Sequence, residues 1–372
     1  PGNPSRGDPL VIDLAGTGIA TYGLAQALHF DHDQDGFAEA TGWAGAGSGL
    51  LVLDGNADGT LNDGAELFGD FTVLPGGQRA ANGFQALSQY DRNQDGVIDA
   101  RDQIWSRLRV AVWENTPRGE ALLGDPAEAM TLRTLAELGI QSISLDSGIA
   151  TATDEHGNTR TRSGTVTLDD GTTRELAEYR FARDAAETRF LDWRAVPDQI
   201  AVLPELTLGG VQMDLSQALV RDAQEGWLGH PPGHLRARLD AFINETDIAA
   251  AHARFEALLF AWTGAEAIPA GSLTNQLDAR HARVLEQAYG RSFRNPNADQ
   301  AAAWQLTYER LTEGLYASLL AQTHLKPFYE AIAWTHSDVT GRAFGDLAPA
   351  QALLGNVRTQ ASTNDDLWRR AS

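Results

Sequence analysis

Apolar and polar positions follow two different periods along this chain, and the change falls past its middle. Residues 9–14, Pro-Leu-Val-Ile-Asp-Leu, form a short apolar run led by proline, as a strand start does. A second strand-like run is Leu50–Leu53. Phe84, Leu87 and Tyr90 recur at helical spacing within residues 83–90. Residues 103–113 fit either helix or strand, and Thr131–Gly139 reads as a helix with a glycine C-cap. Residues 140–182 alternate with period two and break at Glu155–Asn158 and Asp169–Thr172. Those breaks predict hairpin turns, so two or three antiparallel strands close a first domain near residue 195. From residue 236 onward the period becomes helical, and helices are expected over 236–262, 278–290, 297–323 and 326–336. Leu311, Leu315, Leu319 and Leu320 share one face. The aromatics there (Phe255, Phe260, Trp262, Trp304, Tyr308, Phe328, Trp334) are assigned to a bundle core. Residues 196–235, rich in Pro and Gly, read as a linker or a docked extended segment. His230 and His234 lie there, but Pro231 and Pro232 between them exclude the one-face helical pair that a zinc site would use.

Three hexamers interrupt the first half: Asp31-His-Asp33-Gln-Asp35-Gly36, Asp54-Gly-Asn56-Ala-Asp58-Gly59 and Asp91-Arg-Asn93-Gln-Asp95-Gly96. Each is the opening half of an EF-hand calcium loop. Oxygens at loop positions 1, 3 and 5 converge on a hard cation, and glycine at position 6 turns the chain so that the carbonyl at position 7 joins them. The expected ligands of the first loop are Asp31, Asp33, Asp35, the Phe37 carbonyl and Glu39; a glycine stands where the closing acid belongs, so a group from elsewhere must complete it. The second uses Asp54, Asn56, Asp58, Thr60 and Asn62, with its acid, Glu66, one residue late. The third is the most regular: Asp91, Asn93, Asp95, Val97, Asp99 and Asp102. Asp13 opens a fourth, eroded loop in which Ala15 and Thr17 replace acids. The expected fold is therefore α+β. An EF-hand-like calcium-loop module with short helices and antiparallel hairpins spans 9–195, and an all-α helical bundle spans 236–372. Residues 1–8 read as a linker end, and the Pro-Gly-Asn-Pro start suggests a piece of a longer chain.

Composition sharpens this picture. Among 372 residues the formal net charge is −21, which excludes nucleic-acid and anionic-membrane partners and suits bound cations. There is no cysteine, so neither disulfides nor thiolate metal sites contribute. No apolar run is long enough to enter a membrane. Weak calcium loops fill only outside the cytosol, so a secreted or cell-surface protein is expected.

Residues 9–182 resemble the self-processing module of RTX proteins, the FrpC type. The resemblance is carried by Asp8-Pro9-Leu10, Phe30-Asp31-His-Asp33, Thr41-Gly-Trp43, Gly64-Ala-Glu66-Leu-Phe-Gly-Asp70, Asn82-Gly-Phe84, Leu135-Ala-Glu-Leu138-Gly-Ile140 and Asp170-Gly-Thr-Thr173. The helical region is similar to the segment that follows this module in large secreted RTX proteins, as at Leu319-Leu-Ala-Gln-Thr-His-Leu325. The resemblance implies calcium-dependent scission of the Asp8–Pro9 bond through an aspartyl anhydride, which water or a lysine amine then opens. Asp8 would be the intramolecular nucleophile, in protonated form, and Pro9 the leaving group. The only lysine is Lys326, far along the chain, so an Asp–Lys isopeptide bond would need a partner protein's lysine. A second Gly-Asp-Pro, at Asp125-Pro126, is a built-in control. Residues 114–120, where the family carries another calcium loop, have lost most acidic ligands. The alternative is a non-enzymatic, calcium-stabilised module of a large secreted adhesin or toxin.

Overall fold

The strand at Asp8–Pro9 lies in the middle of the first unit. A computed structural model describes residues 8–113, 129–274, 277–337 and 342–361. It divides into two units, Pro1–Asp192 and Trp193–Ser372. Residues 1–7, the 114–120 segment and the second Asp-Pro pair at Asp125 lie outside the described residues.

In chain order the strands of the first unit are β1 (Leu10–Asp13), β2 (Thr21–Tyr22), β3 (Leu28–Phe30), β4 (Phe37–Thr41), β5 (Trp43–Ala44), β6 (Ser48–Leu53), β7 (Val97–Asp99), β8 (Leu108–Trp113), β9 (Met130–Thr134), β10 (Ile140–Ser144), β11 (Gly148–Thr153), β12 (Thr159–Leu168), β13 (Thr173–Arg180) and β14 (Arg183–Phe190). The main sheet is antiparallel, in the order β7-β10-β12-β13-β1-β6-β8-β9 with β11 paired to β12. A smaller sheet runs β14-β4-β3. β1 is therefore central, and all four of its residues are buried. Leu10 and Ile12 face one core with Phe68, Phe84 and Leu87, while Val11 faces another with Phe30, Trp43 and Leu50. This two-sided burial follows from strand alternation, and each large apolar side chain contributes about 1.5–3 kcal/mol. Pro9 precedes β1, where its missing N–H interrupts no ladder, and its carbonyl accepts from Tyr179 N (3.0 Å).

The alternating region folds as expected, with β12 and β13 joined at the Asp169–Thr172 turn. Five expectations are corrected. Thr131–Gly139 is not a helix, because β9 pairs with β8 and the ladder outweighs the helical spacing. The chain then closes a turn in which Ile140 N donates to Leu135 O (2.8 Å), with Gly139 at φ 65°. The first calcium-loop sequence lies between strands and the second between β6 and a short 3-10 turn, Gly64–Glu66, rather than within the helix pair of an EF-hand; only the third has an incoming helix, Gly83–Ser88. The second unit is mainly helical rather than all-α, with hairpins Ser272–Thr274/Leu277–Asp278 and Ala333–Ser337/Arg342–Asp346. Helix Lys326–Glu330 ends early in favour of the second hairpin. Within 196–235 lies a full helix, Leu215–Glu225, whose Leu215, Ala218 and Leu219 are buried at i, i+3, i+4. The flanking prolines and glycines masked that stripe. The core of this unit gathers Phe255, Phe260, Trp262 and Tyr308, with Trp304 packed against it.

Candidate functional site

Register places the functional side chains. β1 pairs with β13 so that Leu10 lies opposite Glu178. Two residues back, Asp8 falls opposite Arg180, the last residue of β13. The guanidinium meets the carboxylate with both arms: Arg180 Nε to Asp8 Oδ1 is 3.4 Å and Arg180 Nη2 to Asp8 Oδ2 is 3.2 Å. Asp8 is only 4% exposed. Gly69 packs directly on its backbone, so that a Cβ there would lie 3.1 Å from the Asp8 carbonyl oxygen.

Gly69 delivers the next residue, Asp70, to the same place. Burial pushes the Asp70 carboxyl up to about 7, the charge of Asp8 adds to this, and Arg180 and Arg79 oppose it. Its Oδ1 is buried without a hydrogen-bond partner. Glu178, 2% exposed, is also raised, first by burial. Gly83 N (2.6 Å) and Thr161 Oγ1 (2.5 Å) donate to it and counter that rise. Three carboxyls thus share the field of one arginine, an arrangement that retains a proton near neutral pH. Asp70, Glu178 and Arg180 escaped sequence reasoning. Arg180 ends a strand that also carries Arg174, Glu175 and Glu178, so nothing in the local pattern set it apart.

The calcium-loop sequences share one backbone. Position 4 has positive φ in each, at Gln34 (64°), Ala57 (60°) and Gln94 (57°), and the position-6 glycines Gly36, Gly59 and Gly96 follow at 87°, 78° and 79°. The first aspartate ties each turn: Gly36 N, Gly59 N and Gly96 N donate to Asp31 (3.0 Å), Asp54 (3.2 Å) and Asp91 (2.9 Å). Asp13 makes the same turn with Gly16 and Gly18, and both its oxygens serve its own loop.

In the first loop Asp31, Asp33 and Asp35 bring carboxylate oxygens within 4.8 Å of one another. Burial first, then the neighbouring carboxylates, push Asp35 up to about 6 and also raise Asp31. Asp33 Oδ1 is buried without a partner. These crowded oxygens fit a hard divalent cation. The group that reaches the first loop from elsewhere is a cation and not a ligand: Arg183 of β14 pairs with Asp33 (3.3 Å) and with fully buried Glu39, and so competes with a metal ion for those carboxylates. In the second loop Glu66 accepts from Gly55 N (3.3 Å) and Asn62 N (2.9 Å), and Asp54 Oδ1 is buried and unpartnered. The late acid thus reaches back across its loop. The third loop is closed by Asp102, which accepts from Arg92 N (3.0 Å) and Asp99 N (3.2 Å). Arg101 lies across it, 2.5 Å from Asp95 and 2.7 Å from Asp99.

The first two loops connect physically with the Asp8–Pro9 bond. Gly64 N donates to Asp31 O (2.8 Å), and a Cβ on Gly64 would lie 1.9 Å from the His32 carbonyl oxygen. A small cavity is lined by Asp8, Pro9, His32, Gly64, Leu67, Gly69 and Phe71. His32 is held neutral, pushed down to about 3 by burial and then by Arg183. Its Nε2 lies 3.0 Å from Thr41 Oγ1, which itself donates to Gly42 O, so Nε2 carries the proton. Among the described residues no helix is long and apolar enough to cross a membrane.

Residues 10–182 match the SPM domain family. The chain is also 40% identical over 214 residues to the Iron-regulated protein FrpA of Neisseria meningitidis serogroup C. That match covers 57% of this chain and 18% of FrpA, so the chain spans less than a fifth of that relative's length. Residues 10–182 are thus similar to the SPM domain family, as the resemblance of residues 9–182 led us to expect, and over more than half its length the chain is similar to FrpA.

Proposed function

We propose that the first unit is a calcium-dependent self-processing module that breaks its own Asp8–Pro9 peptide bond. The observation that carries this reading is the placement of a buried Asp8, gripped by Arg180, directly ahead of the central strand and beside Asp70. In this proposal Asp8, paired with Arg180, reacts as the carboxylate, a different placement of the proton from the protonated nucleophile that the resemblance implies. A carboxylate oxygen of Asp8 attacks its own carbonyl carbon, a contact within five-membered-ring reach. The C–N bond to Pro9 breaks, and the proline nitrogen takes a proton from the Asp70 carboxyl. The products are a cyclic anhydride on Asp8, a secondary amine at Pro9 and an ionised Asp70. Water opens the anhydride, or a lysine of a partner protein attacks it to form an isopeptide bond.

Calcium would be held by Asp31, Asp33 and Asp35, by Asp54, Asn56, Asp58 and Glu66, and by Asp91, Asn93, Asp95 and Asp102. Its contribution would be to neutralise these oxygens and stiffen the loops. Asp31 and Gly64 then bear on the wall of the cavity beside Pro9. Such loops would be filled after secretion into calcium-rich surroundings. The test is incubation of the purified chain with and without millimolar calcium, followed by mass spectrometry. A fragment beginning at Pro9 in calcium alone is the expected result; an intact chain in both arms rejects the reading.

Arg101 favours a second reading, a calcium-stabilised module without scission, because its guanidinium already partners Asp95 and Asp99. A large rise in melting temperature with calcium and no cleavage would select it. On either reading Arg101→Ala is expected to tighten calcium binding at the third loop several-fold, by freeing two carboxylates; calcium titration followed by calorimetry measures this.

A further inference from the structure

We propose that His230, His234 and Glu266 of the second unit form a binding site for a late first-row divalent cation, with zinc the best fit. The sequence argued against this pair, since two prolines separate the histidines and forbid a shared helical face. The structure brings them together by another route. The segment 226–234 folds into a tight turn, and the two imidazoles stack with centroids 4.0 Å apart and planes 7° apart. Both Nε2 atoms face the same carboxylate oxygen: His234 Nε2 is 2.8 Å and His230 Nε2 is 3.8 Å from Glu266 Oε2.

The three donor atoms lie within 4.8 Å of one another. Zinc bonds of about 2.0–2.1 Å to nitrogen and oxygen require donors roughly 3.4 Å apart in a tetrahedron, so the two imidazoles must turn out of their parallel stack for both Nε2 lone pairs to meet one ion. Two imidazoles and a carboxylate are the donor set that late first-row ions prefer over calcium. Three protein ligands leave a fourth position for water or a partner's side chain.

The site is rigid where it must be. His230 N and Trp227 O (2.9 Å) and Trp227 N and His230 O (3.2 Å) close the turn. The indole of Trp227 is buried and donates to Ala261 O and Trp262 O, both at 3.1 Å. The turn is thereby pinned to the end of helix Ile248–Thr263, at acceptors four and five residues before Glu266. Buried Asp222 holds the other side: its carbonyl accepts from Gly233 N (3.1 Å) and its carboxylate from Arg236 N (2.9 Å). Arg238 pairs with the second oxygen of Glu266, the outer-sphere bond that orients a ligating carboxylate. Burial alone would raise Glu266, but His234 and Arg238 outweigh it and hold the carboxylate below its ordinary range. The three side chains remain 21–35% exposed, so an ion can enter.

The test uses the full chain without a histidine tag, stripped with chelator and held in millimolar calcium so that the carboxylate loops are occupied. Zinc is titrated calorimetrically, and cobalt is added separately to read its visible ligand-field bands. One zinc per chain is expected, together with a rise in melting temperature and cobalt bands that report nitrogen ligation. His230→Gln, whose ring is removed from a turn held by other contacts, is expected to weaken zinc binding at least about tenfold and to abolish the melting shift. His234→Gln should do the same, with the circular dichroism of both variants unchanged. Absence of saturable zinc binding by the parent overturns the proposal, as does binding of equal strength by both variants. Because the readouts involve no scission, the outcome is independent of the fate of Asp8–Pro9.

Discussion

An Asp8→Ala chain in millimolar calcium is expected to remain intact under conditions in which the parent releases a fragment beginning at Pro9. The variant keeps the strand, the loops and Arg180 but loses the only carboxylate that reaches the Asp8 carbonyl through a five-membered ring. Intramolecular placement of this kind reaches effective molarities of about 10⁵–10⁸ M, so its loss returns the amide to its uncatalysed stability. Asp70→Asn separates nucleophile from proton donor. Scission should slow roughly 100-fold, the lower range for a positioned acid. In the parent, Asp70 holds its proton up to about pH 7, so the rate should fall roughly tenfold per pH unit above that point. The variant should lose this fall. Linkage fixes the sign for stability as well. Between the ordinary aspartate value and about 7 the folded chain binds a proton that the unfolded chain has lost, so stability declines as pH rises through that window. Asp70→Asn should therefore melt no lower than the parent at pH 8. Equal rates and equal pH profiles for parent and variant would remove Asp70 from the mechanism.

Gly64→Ala is expected to be the most disruptive single methyl group in the first unit. The added Cβ would lie 1.9 Å from the His32 carbonyl oxygen and 2.6 Å from its carbon. Both are backbone atoms of the first loop, and Gly64 N is simultaneously bonded to Asp31 O. No flexible side chain can give way, so the overpacking cost should reach about 2–3 kcal/mol. For a unit of this size that is a fall of roughly 5–10 °C in melting temperature. The calcium requirement for scission should rise in parallel, since the same contact joins Asp31 to the cavity wall. An unchanged melting curve would show that the loop and the cavity wall move independently.

The legible part of this protein was the part written in local pattern. The D-x-[DN]-x-D-G strings predicted three turns of one shape, and Gln34, Ala57 and Gln94 adopt the same left-handed conformation at position 4. The Pro-led β1 and the Thr-rich hairpins followed from alternation. What local pattern could not supply was register. Arg180 meets Asp8 across 172 residues because β13 pairs with β1, and Arg183 meets Glu39 because β14 pairs with β4. Thr131–Gly139 was misread for the same reason, since its partner strand decided its conformation. The histidine pair was dismissed on helical geometry alone. Trp227, buried 34 residues along the chain from its acceptor at Ala261, is what folds that turn.

The acidic surroundings of Asp8 have a consequence for the cut chain. On the proposed reading, scission would turn a neutral amide into a secondary amine at Pro9 that takes up a proton from water to become an ammonium, with the Pro9 carbonyl accepting from Tyr179 N as before. Asp70 and Glu178, raised first by burial and then by the charge of Asp8, would then have a cation to oppose them. Charge repulsion present in the reactant becomes attraction in the product. The new terminus would thus be retained by its own pocket, and rejoining the bond would mean stripping a proton from a paired ammonium. Such a reaction would be biased forward by where the chain is cut as well as by how.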